Sequence, residues 1–153
     1  MLEDAFNDVY LKFKLNFYRG IFERLQDRES SLSASEAYAV EVIYSLNEPT
    51  ISQFAKFLQI SQPNATYKVN TLIRKGYIEK VHSDTDKREY HLRTTPKFQE
   101  YYAINQNYLN TVMQRIRSRF SDDETEQLEH MLRVISEELM PENESGLLTK
   151  ETM

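Results

Sequence analysis

The strongest constraint in this chain is a change of hydrophobic period at Gly76. Upstream, over residues 62–75 (QPNATYKVNTLIRK), apolar side chains return at Ala65, Val69, Leu72 and Ile73, the spacing of a single helical stripe. Downstream, YIEKVH and EYHLR alternate apolar and polar residues around the turn-rich SDTDK, the pattern of a two-stranded hairpin. A helix closed by a glycine and followed at once by a short hairpin leaves few architectures open.

The rest of the chain is punctuated for helices. There are three Gly and four Pro in 153 residues, so long loops have little to be made from. Pro49, Pro63, Pro96 and Pro141 fall where helices should begin or end. Ser33 with Glu36, Thr50 with Gln53, and Ser121 with Glu124 have the spacing of capping boxes, in which a hydroxyl takes the amide three positions on while the Glu or Gln reaches back. The pattern predicts helices over about residues 3–28, 34–46, 51–58, 62–75, 96–119 and 122–140, with the hairpin after the fourth. A polar tail, residues 141–153, is expected to be disordered.

Length alone favours one folding unit with a real core. No Cys is present, which excludes disulfides and thiolate metal sites. The first residues, MLEDAFNDVY, lack the basic flank and apolar run of a secretion signal, and no stretch approaches about 18 uninterrupted apolar residues, so a cytoplasmic protein is expected. Catalysis finds no support: no Gly-rich phosphate loop, no nucleophile beside a base and no isolated carboxylate pair stands out. His82, His91 and His130 are too widely spaced to suggest a metal site, and no cofactor is implied.

Charge is unevenly spread. The chain carries 19 Lys or Arg and 24 Asp or Glu, a net charge of -5; residues 51–97 hold nine basic residues against four acids, which leaves ten against twenty elsewhere. A basic working surface flanked by acidic segments suits a polyanionic partner.

ISQFAKFLQ and SQPNATYKVNTLIRKG have the form of two helices joined by a tight turn, the helix-turn-helix in which the second helix enters the major groove of DNA. Opposite the apolar stripe of residues 62–75 lie Pro63, Asn64, Tyr67, Asn70, Thr71 and Arg74, with Gln62, Thr66 and Lys68 on the shoulders and Lys75 at the end. Asn and Gln amides can pair with adenine, Thr and Pro can touch a thymine methyl, and Tyr, Lys and Arg can hold phosphate oxygens. Ser61 is the expected N-cap, leaving free amides at the helix start. In the hairpin, Lys87 and Arg88 offer a second contact, with Arg88 suited to a minor groove. Asp86 would repel phosphate, so its expected part is internal: capping turn amides or pairing with a nearby Arg so that Arg88 projects.

The run ISQPNATYKVNTLIRKGYIEKVHSDTDKREYHL resembles the winged-helix core of the MarR family of bacterial transcription regulators, in which a Ser-Gln-rich recognition helix leads through Lys-Gly-Tyr/Leu-Ile to a wing bearing an Asp-x-Arg motif. The resemblance covers residues 34–97. It implies that Asp86 and Arg88 are the wing pair, that Lys87 is a basic wing position, and that Gln62, Pro63, Asn64, Thr66, Tyr67 and Lys68 form the base-facing start of the recognition helix. HLRTTPKFQEYY departs from the family's Leu-Thr-x-x-Gly join after the wing.

Phe6, Tyr10, Phe13 and Phe17 form an aromatic stripe near the start, and Leu128, Leu132, Ile135 and Leu139 an aliphatic one near the end. Apolar helices at both chain ends can be buried by a second copy in a two-fold dimer, the architecture that the resemblance also implies. The expected fold is therefore mostly α, a winged helix-turn-helix over 34–95 with N- and C-terminal dimerisation helices over 1–33 and 96–140. Double-stranded DNA and a second copy are the expected partners, with a small apolar or aromatic effector as relatives have. The competing reading is a winged-helix protein-interaction module, which should expose aromatic or aliphatic anchors on the helix face.

Overall fold

A computed structural model describes residues 1–23, 32–86 and 88–140. Its elements are α1 (Leu2–Glu23), α2 (Ala34–Ser45), α3 (Ile51–Leu58), α4 (Gln62–Arg74), β1 (Ile78–His82), β2 (Tyr90–Thr94), α5 (Pro96–Arg119) and α6 (Asp122–Glu138). This is the order expected from the sequence. Residues 24–28, where the first helix was expected to continue, and the tail from 141 lie outside the described residues.

The helix starts follow from their caps. The Ser33, Thr50 and Ser121 boxes all form with both bonds in place, and Ser61 Oγ accepts the Asn64 amide at 3.3 Å. Helix ends are equally local. Gly76 sits at φ 85°, the Tyr77 amide donates to Leu72 O and the Gly76 amide to Ile73 O, the paired bonds of a Schellman motif that closes α4. At the end of α3 the same left-handed position is taken by Gln59 (φ 54°), and the Ile60 amide reaches back to Ala55 O. The turn between the two helices thus holds a non-glycine residue in a conformation that costs about 1 kcal/mol, offset by the tight approach of α3 and α4.

One core unites α2, α3, α4, the hairpin and the first turns of α5. Ala65, Val69 and Leu72 of α4 are fully buried with Val40, Phe54, Leu92 and Phe98, and Ile73 packs at the edge. β1 and β2 pair antiparallel with Ile78 opposite Thr94 and His82 opposite Tyr90. The far edge of β2 is tied to the α2–α3 turn, where the Leu92 amide donates to Pro49 O at 2.8 Å and the Arg93 guanidinium pairs with Glu48. That bond fixes where the hairpin leaves the core.

Length favoured one folding unit, and the sequence division between 95 and 96 placed all of α5 in the dimerisation region. Packing instead separates Met1–Asn105 from Gln106–Met153, a boundary inside α5. The reason is aromatic: Phe98 and Tyr101 are buried core residues, and Tyr44, Phe98 and Tyr102 cluster with ring centroids 4.7–5.5 Å apart. Phe17, expected at a dimer face, likewise packs against the chain's own core.

Glu41 of α2 lies half-buried, and burial pushes its carboxyl up to about 7. A carboxyl raised in the folded state favours folding below its unfolded value near 4.5 and loses that contribution as pH rises through about 7. Glu41→Gln should therefore stabilise the protein by roughly 1–2 kcal/mol at pH 8, the shift being discounted for the part of the group still in water, and do nearly nothing at pH 4. Thermal melts of both proteins across that range check it; equal gains at both pH values would remove the burial argument.

Candidate nucleic-acid interface

The outward face of α4 is set by what its inward face must bury. With Ala65, Val69 and Leu72 in the core, Gln62, Pro63, Asn64, Tyr67 and Asn70 point to solvent, and Tyr67 is 72% exposed. The side-chain amides of Gln62, Asn64 and Asn70 make no hydrogen bond among the described residues. Thr66 and Lys68 sit half-buried on the shoulders, as the helical wheel has them.

Other expected contacts are partly engaged within the protein. The Thr71 hydroxyl donates to Tyr67 O (3.1 Å) and accepts from Arg74 Nη2 (3.2 Å), so both side chains lie back along the helix. Lys68 Nζ donates to Ser35 Oγ at the start of α2 (3.3 Å). These are exposed, long bonds that a phosphate could replace at small cost.

Lys75 is different. Its ammonium lies 2.6 Å from Glu36 Oε2, and both side chains are half-buried. Burial pushes the Glu36 carboxyl up, but the Lys75 hydrogen bond and the Ser33 amide outweigh it and hold the carboxyl below its ordinary value. Lys75 was expected to face DNA; it instead ties the end of α4 to the capping box of α2. Sequence gave no sign of this, because the pair is 39 residues apart.

The hairpin tip is built on Ser83 and Asp86. Ser83 Oγ accepts from the Thr85 and Asp86 amides, the Ser83 amide donates to Glu89 O, and Asp86 Oδ1 accepts the Arg88 amide at 2.9 Å. Of the two internal parts expected of Asp86, the amide cap is present. Arg88 is exposed beyond it, and Lys87 lies outside the described residues. Further down the strands the sequence reading missed Glu48, His91 and Arg93: His91 Nδ1 lies 2.8 Å from Glu48 O, and the Glu48 hydrogen bond raises the Arg93 guanidinium above its ordinary value.

The apolar faces expected to meet a second copy are open. On α1, Phe6 and Tyr10 are more than half exposed and Phe13 is half-buried. On α6 no residue is buried: Leu132 and Leu139 are exposed, and Leu128 and Ile135 half-buried. Met113, Ile116, Leu128 and Leu132 floor an open groove of about 640 Å³ between the second half of α5 and α6. Among the described residues, no cluster of His, Asp and Glu could hold a metal ion, and no helix is long and apolar enough to cross a membrane.

Comparison with known proteins adds four findings. Residues 32–90 match the model of the MarR family. The chain is 25% identical over 138 residues to the HTH-type transcriptional regulator YkoM of Bacillus subtilis, covering 84% of this chain and 89% of that one. It is 29% identical over 79 residues to the HTH-type transcriptional regulator BilQ of Clostridioides difficile, a match to 52% of this chain that spans about half, 53%, of BilQ. Among solved structures, Streptococcus pneumoniae FabT in complex with DNA superposes with a TM-score of 0.56 at 27% identity, covering 91% of this chain and 98% of that one.

Lys75→Met should destabilise the protein by roughly 1 kcal/mol at neutral pH, since it leaves the half-buried Glu36 carboxylate without its cation. A depressed carboxyl stabilises the fold above its unfolded value and loses that contribution as pH falls, so the gap between the two proteins should close below about pH 4.5. A gap that persists at pH 3 would point to lost packing instead.

Proposed function

We propose that the chain, whose residues 32–90 match the model of the MarR family of transcription regulators, is a sequence-specific DNA-binding regulator, a repressor that grips a pseudo-palindromic operator as a homodimer. The observation that carries this reading is the outward row of α4 at Gln62, Asn64, Tyr67 and Asn70, amides and one aromatic ring whose side chains make no hydrogen bond among the described residues, on a helix whose other face is fully buried. Such a row can meet base edges without those side chains giving up a hydrogen bond of their own. A protein-docking face would need a cluster of aromatic or aliphatic anchors, and this one exposes a single large apolar side chain, Tyr67, among amides and cations.

In the proposed complex, Gln62, Pro63, Asn64, Thr66 and Tyr67 meet base edges, while Asn70 extends the same row. Ser61 and the free amides at the start of α4 hold a phosphate. Lys68, Thr71 and Arg74 exchange their exposed internal bonds for phosphate oxygens. Arg88, aimed by Asp86 and flanked by Lys87, enters the neighbouring minor groove. The open stripes on α1 (Phe6, Tyr10, Phe13) and α6 (Leu128, Leu132, Ile135, Leu139) are buried by the second copy, which spaces the two recognition helices by about one turn of DNA, roughly 34 Å. A small apolar or aromatic effector would act by favouring a spacing that no longer fits. The protein works in the cytoplasm, without catalysis and without a cofactor.

Selection of duplexes from a random pool, followed by titration at several salt concentrations, tests this. A recovered palindrome and a steep fall of affinity with salt are the expected results. Asn64→Ala should cost about 1–3 kcal/mol and relax preference at one base position, while Arg88→Ala should weaken all sequences and reduce the salt slope by about 1. Arg88→Ala with full affinity at physiological salt overturns the wing assignment. Leu132→Glu should give a monomer in sedimentation and lose operator binding with it; a variant that stays dimeric removes α6 from the interface.

A further inference from the structure

The C-terminal end of α4 is held by the segment that follows the wing. Three consecutive carbonyls past the helix each receive a donor from residues 95–97. Lys97 Nζ donates to Lys75 O at 2.7 Å, the Thr95 hydroxyl to Gly76 O at 2.5 Å, and the Thr95 amide to Tyr77 O at 3.0 Å. The Lys97 ammonium also lies 4.6 Å from the centre of the Tyr77 ring, whose neighbour is Tyr101, met edge-on at 6.4 Å. Its stem covers Gly76, where an added Cβ would lie 3.6 Å from Lys97 Cδ. A cation at this spot is favoured twice, by the carbonyls of a helix C-terminus and by an aromatic face.

We propose that Lys97 is a positioning residue for DNA recognition: it locks the end of the recognition helix to the first turn of α5, so that α4 cannot tilt or slide independently of α5. This rests on the DNA-binding reading above. Lys97 counts toward the basic segment 51–97, yet its amine is turned onto the Lys75 carbonyl and the Tyr77 ring and does not serve a phosphate. The lock lies where the sequence departs from the family's join after the wing, at RTTPKF. The first turn of α5 and the end of α4 are thus held as one piece at Lys75–Tyr77. The recognition face is thereby presented at one angle before DNA arrives, which reduces the ordering cost of binding.

The test uses the full-length protein and a duplex that the wild type has selected from a random pool. Lys97→Met keeps the stem over Gly76 and removes the charge and donor; Lys97→Arg keeps both. The methionine variant should bind that duplex about tenfold more weakly, with an unchanged salt slope, and the arginine variant should recover most of the loss. Hydrogen exchange without DNA should show faster exchange at the Gly76 and Tyr77 amides in Lys97→Met. Unchanged affinity in the methionine variant overturns the proposal, and so does a salt slope reduced by about 1, which would make Lys97 a phosphate contact. A wild-type protein that selects no duplex overturns the DNA-binding reading itself, whereas unchanged exchange at Gly76 and Tyr77 overturns the lock alone.

Discussion

Everything at the interface depends on the burial of Ala65, Val69 and Leu72. These three side chains, fully removed from water with Phe54, Leu92 and Phe98, fix the rotation of α4 about its own axis. Once that rotation is fixed, the opposite side chains have no choice of direction. Burying three apolar side chains is worth several kcal/mol, on the order of 1.5–3 for each residue larger than alanine, far more than any exposed hydrogen bond on the outer face. The core therefore decides what the surface presents.

Around that helix, polar contacts refine position at its two ends and at the wing. Ser61 fixes the start, Gly76 the stop, and Lys75 and Lys97 bind the stop to α2 and α5 respectively. The wing is held twice, at its base by Pro49 and Glu48 against β2, and at its tip by Ser83 and Asp86. Two acidic residues near the wing, a puzzle for a DNA-facing element, have structural employment: Asp86 caps the Arg88 amide and Glu48 pairs with Arg93. Charge of the wrong sign is tolerated there because it is spent on backbone amides and a neighbouring guanidinium.

Much of this was legible locally. Helix starts were readable from Ser33, Thr50, Ser61 and Ser121, because an N-cap acts within three residues of itself, and the stop at Gly76 was readable for the same reason. The hairpin showed in its alternation, and the solvent face of α4 in its period. What could not be read were the pairs far apart in sequence. Glu36 with Lys75, Glu48 with Arg93 and Lys75 with Lys97 lie 39, 45 and 22 residues apart. Lys75 was misassigned for that reason: on the wheel it is another cation at the edge of the recognition face, and nothing local says that an acid from α2 awaits it. Phe17 and the first turns of α5 were misassigned similarly, since an apolar stripe shows which residues seek burial and not which surface supplies it.

The sequence by itself determined the element order, the helix starts, and which side chains of α4 face water. Those properties are set by periodicity and by capping bonds spanning a few residues, which act before any tertiary contact forms. Tertiary structure decided which cations remain available to a polyanion and how α4 is anchored to its neighbours. A charge or an aromatic ring carries no address in the sequence; its partner is chosen by whichever group the packed core brings within reach.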